Sequence, residues 1–325
     1  MSYAPGDLHG LNWMAPSFAT PNATSLEAEN TIAVDNLAYA LDKGIKDGVD
    51  VISMCGSFGE FHTLLFEEFQ TLVKATLDVV NKRVPVFIGI TSINGREAVR
   101  KAKFVREAGG EGIFTGVPFY YPPTVQNTVN YFHEISEMFP DLSIQIYHNP
   151  PLHRIHIPVS AFNAFVQHKN IVSMKDSHRS PLEFMKLMDV VNGKISQFVN
   201  QMMYHPYQSM GASGFWSTDA CMGPAPLIAL RDSTDSGDYE TAKQVLRDIS
   251  ATSSGGDIFD GQAPQDNARK IAATLAGYCD LGPNRSPFMV ITPESQERQN
   301  QRALKWKALQ EKYAAQAKKP VLATV

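Results

Sequence analysis

Cysteine is scarce in this chain, with Cys55, Cys221 and Cys279 the only three in 325 residues. Their odd number and wide spacing argue against a disulfide framework and against a Cys-x-x-Cys metal site. Each reads as a reduced, mostly buried thiol that packs as a small hydrophobe. An excess of one charge is also missing: 29 Lys and Arg stand against 33 Asp and Glu, both signs scattered, for a formal net charge of −4. That balance indicates neither a nucleic-acid groove nor a polybasic membrane face. No uncharged apolar stretch reaches the roughly 18 residues that span a bilayer. The opening residues, Met1-Ser2-Tyr3-Ala4-Pro5-Gly6-Asp7, have no basic stretch leading into an apolar run, so the cytoplasm is the expected location. His148, His153 and His156 crowd together beside prolines without the His-Glu-x-x-His spacing of a helical zinc site, and no metal is expected.

The hydrophobic fraction, 43%, lets a chain of this length bury a full core. Short apolar, β-branched runs recur at residues 11–16, 49–54, 84–90, 112–117, 143–147, 171–175, 195–199 and 211–216. Helical stretches fill the gaps. In residues 96–108 the apolar positions Ala98, Val99, Ala102, Val105 and Ala108 follow a three-and-four spacing, with Arg100, Lys101, Lys103 and Glu107 on the other side. Residues 67–80 repeat the pattern. Eight strand-helix units is the number that closes a parallel barrel, so the predicted fold is α/β, a (β/α)8 barrel. After Ser217 the strand signals stop. The remainder reads as helices, among them 238–249 and 266–279 and a last one opening at Thr292-Pro293-Glu294, where Thr suits an N-cap and Pro the first turn. The expected division is a barrel over 1–224 and a closing helix with a helical extension over 225–325. Residues 253–257, Ser-Ser-Gly-Gly-Asp, read as a hinge, and the tail from Lys318 as frayed.

Barrel enzymes carry their reacting groups at the C-terminal ends of the strands. Lys175 follows Ile171-Val172-Ser173-Met174 directly and is expected to point into a low-dielectric interior. Burial disfavours the ammonium, which lowers its pKa and frees the amine as a nucleophile toward a ketone. The alternative is a lysine that snorkels out beside Asp176. Tyr147 ends the preceding strand and can reach the same cavity, where a phenol can carry a proton; alone it would be a core tyrosine. The turn Gly56-Ser57-Phe58-Gly59-Glu60 offers backbone N–H groups and a hydroxyl to a carboxylate, with Ser57, Phe58 and Gly59 as the binding residues; alone it would be a tight turn. An amine, a phenol and a carboxylate cradle together describe covalent catalysis on a 2-keto acid, a small-molecule partner. Asn149 is placed to position a water or hydroxyl. Phe119, Tyr120 and Trp216, with Phe58, Met202 and Met203, offer an apolar wall to a flat aryl group, although Met202 and Met203 also suit a helix start and Phe119 and Tyr120 a subunit contact. His148, His178, Arg154 and Arg179 are candidate carboxylate partners with no assigned position.

These pieces, Gly56 to Glu60, Val117-Pro118-Phe119-Tyr120-Tyr121-Pro122, Tyr147-His148-Asn149-Pro150 and Met174-Lys175-Asp176-Ser177, resemble in kind and order the pyruvate-dependent class I aldolases that include dihydrodipicolinate synthase and N-acetylneuraminate lyase. The resemblance implies that Lys175 forms the Schiff base, that Tyr147 transfers protons, and that Ser57 with the Phe58 amide holds the pyruvate carboxylate. It also implies a homotetramer and no cofactor beyond the covalent imine. Within the family, Phe58, Gly214-Phe215-Trp216-Ser217, Met222-Gly223-Pro224 and Leu281-Gly282-Pro283-Asn284-Arg285-Ser286-Pro287 look most like the hydratase-aldolases that cleave ortho-substituted trans-benzylidenepyruvates to an aromatic aldehyde and pyruvate. Dihydrodipicolinate synthases resemble one another in a second hydroxyl residue where Phe58 stands and an Arg where this chain has Leu152. Asp176-Ser177-His178 is nearer the wider family, and Asn200-Gln201-Met202-Met203 lacks the acidic residues often found after the seventh strand. The alternatives are an aldolase or dehydratase for a sugar acid or dicarboxylate, and a non-catalytic barrel that binds a keto acid.

Overall fold

The structure, a computed structural model, describes residues 3–177, 179–253 and 268–317. The chain divides into two compact units, one of Met1–Ser17 with Val49–Thr218 and the other of Phe18–Gly48 with Asp219–Val325.

The first unit is the expected barrel. Its strands are β1 (Gly10–Met14), β2 (Val51–Met54), β3 (Val86–Gly89), β4 (Gly112–Thr115), β5 (Ser143–His148), β6 (Ile171–Asp176), β7 (Ser196–Asn200) and β8 (Gly214–Ser217). They run in sequence order around a closed sheet, with β8 parallel to β1. Every residue of β1 to β7 is buried, which is why these strands read as near-continuous apolar runs instead of alternating ones. Leu8, Met14, Val51, Phe87, Phe114, Tyr147, Val172 and Phe198 form a core cluster, with Tyr3 and Trp216 packed against it. A polar network also lies in the barrel. Ser53 Oγ donates to Asn12 Oδ1 at 3.0 Å, and Gln145 Nε2 donates to Ser173 Oγ at 3.1 Å, so these buried groups are paired.

The helix at Gly95–Glu107 begins where the side chain of Asn94 accepts the Glu97 N–H, and it buries Ala98, Ala102 and Val105 as its spacing predicts. Lys101, expected on the outer face, is buried instead, its amine 5.4 Å from the Phe69 ring centroid. Its methylene stem covers apolar surface.

The second unit carries the helix Val34–Lys46 and the C-terminal helices Ala225–Asp235, Tyr239–Thr252, Arg269–Leu275 and Pro293–Ala317. Thr292 caps the last of these by accepting the Ser295 N–H at 3.2 Å. Phe18–Gly48, which the sequence division at 224/225 counts with the barrel, is grouped here with the C-terminal helices. Arg285 ties them by donating to Thr31 Oγ1 and to the Thr31 carbonyl, each at 2.8 Å. The expected hinge at 253–257 lies outside the described residues apart from Ser253, as do the tail from Lys318 and His178. Among the described residues no helix is long and apolar enough to cross a membrane.

Candidate active site

An irregularity in the sheet sets the central pair. Between β5 and β6 the register shifts, so Ile144 pairs with Ile171 but Gln145 pairs with Ser173, leaving Val172 as the extra residue. Bulges of this kind re-aim side chains beside active sites. From there Tyr147 faces Lys175 and His148 faces Asp176 directly across the two strands. Regular pairing from Ile144 would have set Tyr147 opposite Met174.

Lys175 is buried, and its amine lies 4.6 Å from the Tyr147 ring centroid and 3.7 Å from that of Trp216. It donates a hydrogen bond to Ser177 Oγ at 2.8 Å. Burial lowers its pKa from 10.5 to about 7, against the opposing pull of the Asp176 carboxylate. Near neutral pH a large share of the amine is therefore unprotonated, the state that attacks a carbonyl.

The Tyr147 oxygen accepts from Asn149 Nδ2 at 3.1 Å and lies 3.0 Å from Ser57 Oγ, a hydroxyl pair in which either oxygen can donate. Burial raises the phenol's pKa while the Ser57 and Asn149 hydrogen bonds lower it in part. A neutral phenol bonded to a hydroxyl is an arrangement that can pass a proton along.

Behind Lys175, Asp176 organises a buried charge network. Burial alone would raise its pKa, but His148 and Arg179 outweigh that and hold the carboxyl well below the usual range. Asp176 Oδ1 is 2.7 Å from His148 Nδ1, and Oδ2 accepts from Arg179 Nε at 2.7 Å. His148 Nε2 accepts the Ile157 N–H at 3.1 Å, so the imidazole proton sits on Nδ1 and points at Asp176. Burial keeps His148 neutral by lowering its pKa. The Asp176 carbonyl in turn accepts the Trp216 indole N–H at 2.8 Å. One residue thus fixes the end of β6 and the ring that covers the amine.

The turn after β2 has the tightness expected of a cradle. Cys55 and Glu60 both have positive φ, and a side chain on Gly89 would sit 2.2 Å from the Cys55 carbonyl oxygen. A Cβ on Gly59 would lie 3.2 Å from the Cys55 and Gly56 backbones. Ser57 and Phe58 are partly exposed there.

The structure brings together Lys175, Tyr147, Ser57, Asn149 and Trp216. Phe119 lies near them, edge-on to Phe61 at 6.2 Å and 6.3 Å from His153. Tyr120 is 68% exposed and meets Tyr121 edge-on at 5.1 Å, so its ring is not part of this constellation within one chain. Arg154, exposed, donates to the Tyr120 carbonyl at 2.8 Å. Arg179 donates through Nε to Asp176 and through Nη2 to the Ile157 carbonyl, and His148 lies in the same network.

Sequence reasoning missed two groups. Ser177 entered only as the last residue of the Met174-Lys175-Asp176-Ser177 match and was given no role. His153 packs edge-on against Tyr147 with ring centroids 4.7 Å apart. Burial, with further contributions from Lys175 and His148, lowers its pKa to about 3. A Cβ on Gly116 would stand 2.2 Å from this ring, so a glycine is needed at the end of β4.

A buried amine with a lowered pKa, a phenol across from it and a tight turn with partly exposed Ser57 and Phe58 lie together at the C-terminal mouth of a parallel barrel, the end at which barrel enzymes place their chemistry. The model of the dihydrodipicolinate synthetase family matches residues 17–304, and the chain belongs to that family. It is a lyase, a pyruvate-dependent class I aldolase; the family's aldolases work through a covalent Schiff base on a lysine, without a metal. Among its relatives, trans-2'-carboxybenzalpyruvate hydratase-aldolase of Nocardioides sp. (strain KP7) is 25% identical, covering 97% of both chains. Trans-O-hydroxybenzylidenepyruvate hydratase-aldolase of Pseudomonas putida is 27% identical over 95% of this chain and 96% of that one. A 4-hydroxy-tetrahydrodipicolinate synthase of Geobacter metallireducens is 29% identical over 65% of this chain and 73% of its own. Of solved structures, PhdJ bound to a substrate intermediate superposes with a TM-score of 0.90 at 24% identity, covering 96% of this chain and 99% of that one.

Proposed function

We propose that the chain is a hydratase-aldolase that converts an ortho-substituted trans-benzylidenepyruvate to an aromatic aldehyde and pyruvate through a Schiff base on Lys175, in aromatic hydrocarbon breakdown. The observation that carries the reading is Tyr147 opposite Lys175, its phenol bonded to Ser57 and Asn149 and the amine roofed by Trp216. The relatives named as hydratase-aldolases span nearly the whole chain, which supports the substrate class.

The neutral Lys175 amine attacks the 2-keto carbon, and loss of water leaves an iminium conjugated to the side-chain double bond. The turn at Ser57, Phe58 and Gly59 holds the carboxylate by N–H and hydroxyl donors. Water adds at the aryl-bearing carbon, positioned by Asn149, and yields the aldol adduct. Tyr147 then takes the proton of the new hydroxyl while passing its own to Ser57, whose hydroxyl proton moves on to solvent or the substrate carboxylate. The carbon–carbon bond breaks toward the iminium, the aldehyde leaves, and the resulting enamine is protonated and hydrolysed to pyruvate. The iminium is the electron sink, so the chemistry calls for no further cofactor.

Phe119, Phe58 and Trp216 make the aryl end apolar. Exposed Tyr120 and Tyr121 serve a subunit contact in a cytoplasmic homotetramer, the assembly that the family resemblance implies. A panel of benzylidenepyruvates, sugar-acid and dicarboxylate aldols, assayed for released aldehyde and pyruvate, tests the reading. Turnover is expected on the aryl substrates; turnover confined to the sugar acids or dicarboxylates, or none at all, overturns it.

A further inference from the structure

At the other end of the barrel, His133, Glu137 and His168 converge. Their ligand atoms all lie within 4.8 Å of one another, and no other group of three such residues does so among the described residues. His133 and Glu137 stand one turn apart on the helix Val125–Met138, so they share a face. His168 comes from the loop that leads into β6 at Ile171. That is the N-terminal face of the barrel, where residues serve stability, while the chemistry sits at the C-terminal face.

We propose that these three residues form a binding site for a divalent transition metal ion of the zinc type. His133 Nδ1 and His168 Nε2 are 3.2 Å apart, close to the roughly 3.3 Å between two nitrogens bound tetrahedrally to one zinc at about 2.0–2.1 Å each. Glu137 Oε1 lies 3.5 Å from the other nitrogen of His168, on a side chain that is 65% exposed and free to swing. Rotation brings its carboxylate to the ion, and water completes the shell. Two imidazoles and one carboxylate select zinc, nickel or copper over calcium or magnesium, which prefer all-oxygen sites. His168 has its pKa lowered, by burial first and by His133 second, with Glu137 opposing. The neutral imidazole is the form that binds a metal.

The two elements that supply the ligands are already pinned together. Asn170, buried, donates to the carbonyls of Ser136 at 3.2 Å and Phe139 at 3.0 Å, and accepts from Ser136 Oγ at 2.6 Å. The loop bearing His168 is thereby fixed against the helix bearing His133 and Glu137. An ion held between them braces the entry to β6, the strand that carries Lys175 at its far end.

The test is calorimetric titration of the chelator-treated full-length protein with Zn²⁺, repeated with His133→Ala/His168→Ala and with Glu137→Gln. One saturable ion per chain is expected for the parent protein, loss of that ion in the double variant, and weaker binding in Glu137→Gln. Saturating Zn²⁺ should raise Tm by about 2–4 °C in the parent alone, with turnover unchanged, because the site stands apart from the chemistry. All three ligands are partly or fully exposed, so the variants are expected to fold, and circular dichroism checks this. Absence of saturable binding to the parent protein, or binding that persists undiminished in the folded double variant, overturns the proposal.

Discussion

The amine of Lys175 lies 3.7 Å from the ring centroid of Trp216, whose indole N–H is held by the carbonyl of Asp176, the residue next to the lysine. The ring therefore covers the amine itself. It both excludes water, which disfavours the ammonium, and offers its π-face, which favours it.

The balance sets a pH profile. Burial brings the Lys175 pKa from 10.5 down to about 7, so the reactive amine is lost as pH falls through that value. The rate of borohydride-trapped adduct with pyruvate should drop about tenfold per pH unit below 7 and level off above it. A profile still rising steeply at pH 9 would show a lysine with an ordinary pKa.

Trp216→Ala should move that limb upward. Losing the ring admits water to the amine and so relieves the burial that lowers its pKa. Trapping at pH 7 slows, and raising the pH restores it. Unchanged limbs in both proteins would mean that Trp216 acts only on the far end of the substrate.

Tyr147→Phe keeps the ring stacked on Phe114, 4.5 Å between centroids, and removes the oxygen bonded to Ser57 and Asn149. Turnover of a benzylidenepyruvate should fall by about 10²- to 10⁴-fold, the usual worth of a positioned proton carrier. Trapping of pyruvate should suffer less, since the amine and the carboxylate turn remain. A folded variant with near-normal turnover would hand the proton to another group.

The barrel was legible because seven of its strands are buried throughout and long connections such as Phe66–Val80 and Gly95–Glu107 carry a helical period, and the positions of Lys175 and Tyr147 followed from the strand ends alone. What the linear sequence hid is register. The skipped Val172 decides that Tyr147 meets Lys175, and an extra residue of this kind leaves no mark in a run of buried apolar residues. The partnership of His148, Asp176 and Arg179 was hidden for the same reason, since it needs two neighbouring strand ends to be aligned. Tyr120 shows the opposite limit: an aromatic residue beside a predicted site looks like part of its wall until its exposure is seen.

Asp176→Asn should be costly to the fold. The variant leaves the Arg179 guanidinium buried without its counter-charge and His148 without its carboxylate acceptor. Breaking a buried pair in this way typically costs about 3–5 kcal/mol, to be read from denaturant unfolding at pH 7. Because the carboxyl's pKa is depressed in the folded state, its contribution is fully present above the ordinary carboxylate pKa of 3.8 and lost only in stronger acid, as pH falls through the lower folded value. A loss below 1 kcal/mol would show that the network is not what holds the end of β6.

Whether the reaction passes through an imine on Lys175 is read from borohydride reduction in the presence of pyruvate followed by peptide mass mapping. One reduced pyruvyl adduct per chain is expected, on the peptide that contains Lys175, and none in Lys175→Ala. Label on a different lysine, or an active enzyme whose Lys175 stays unmodified, would contradict it.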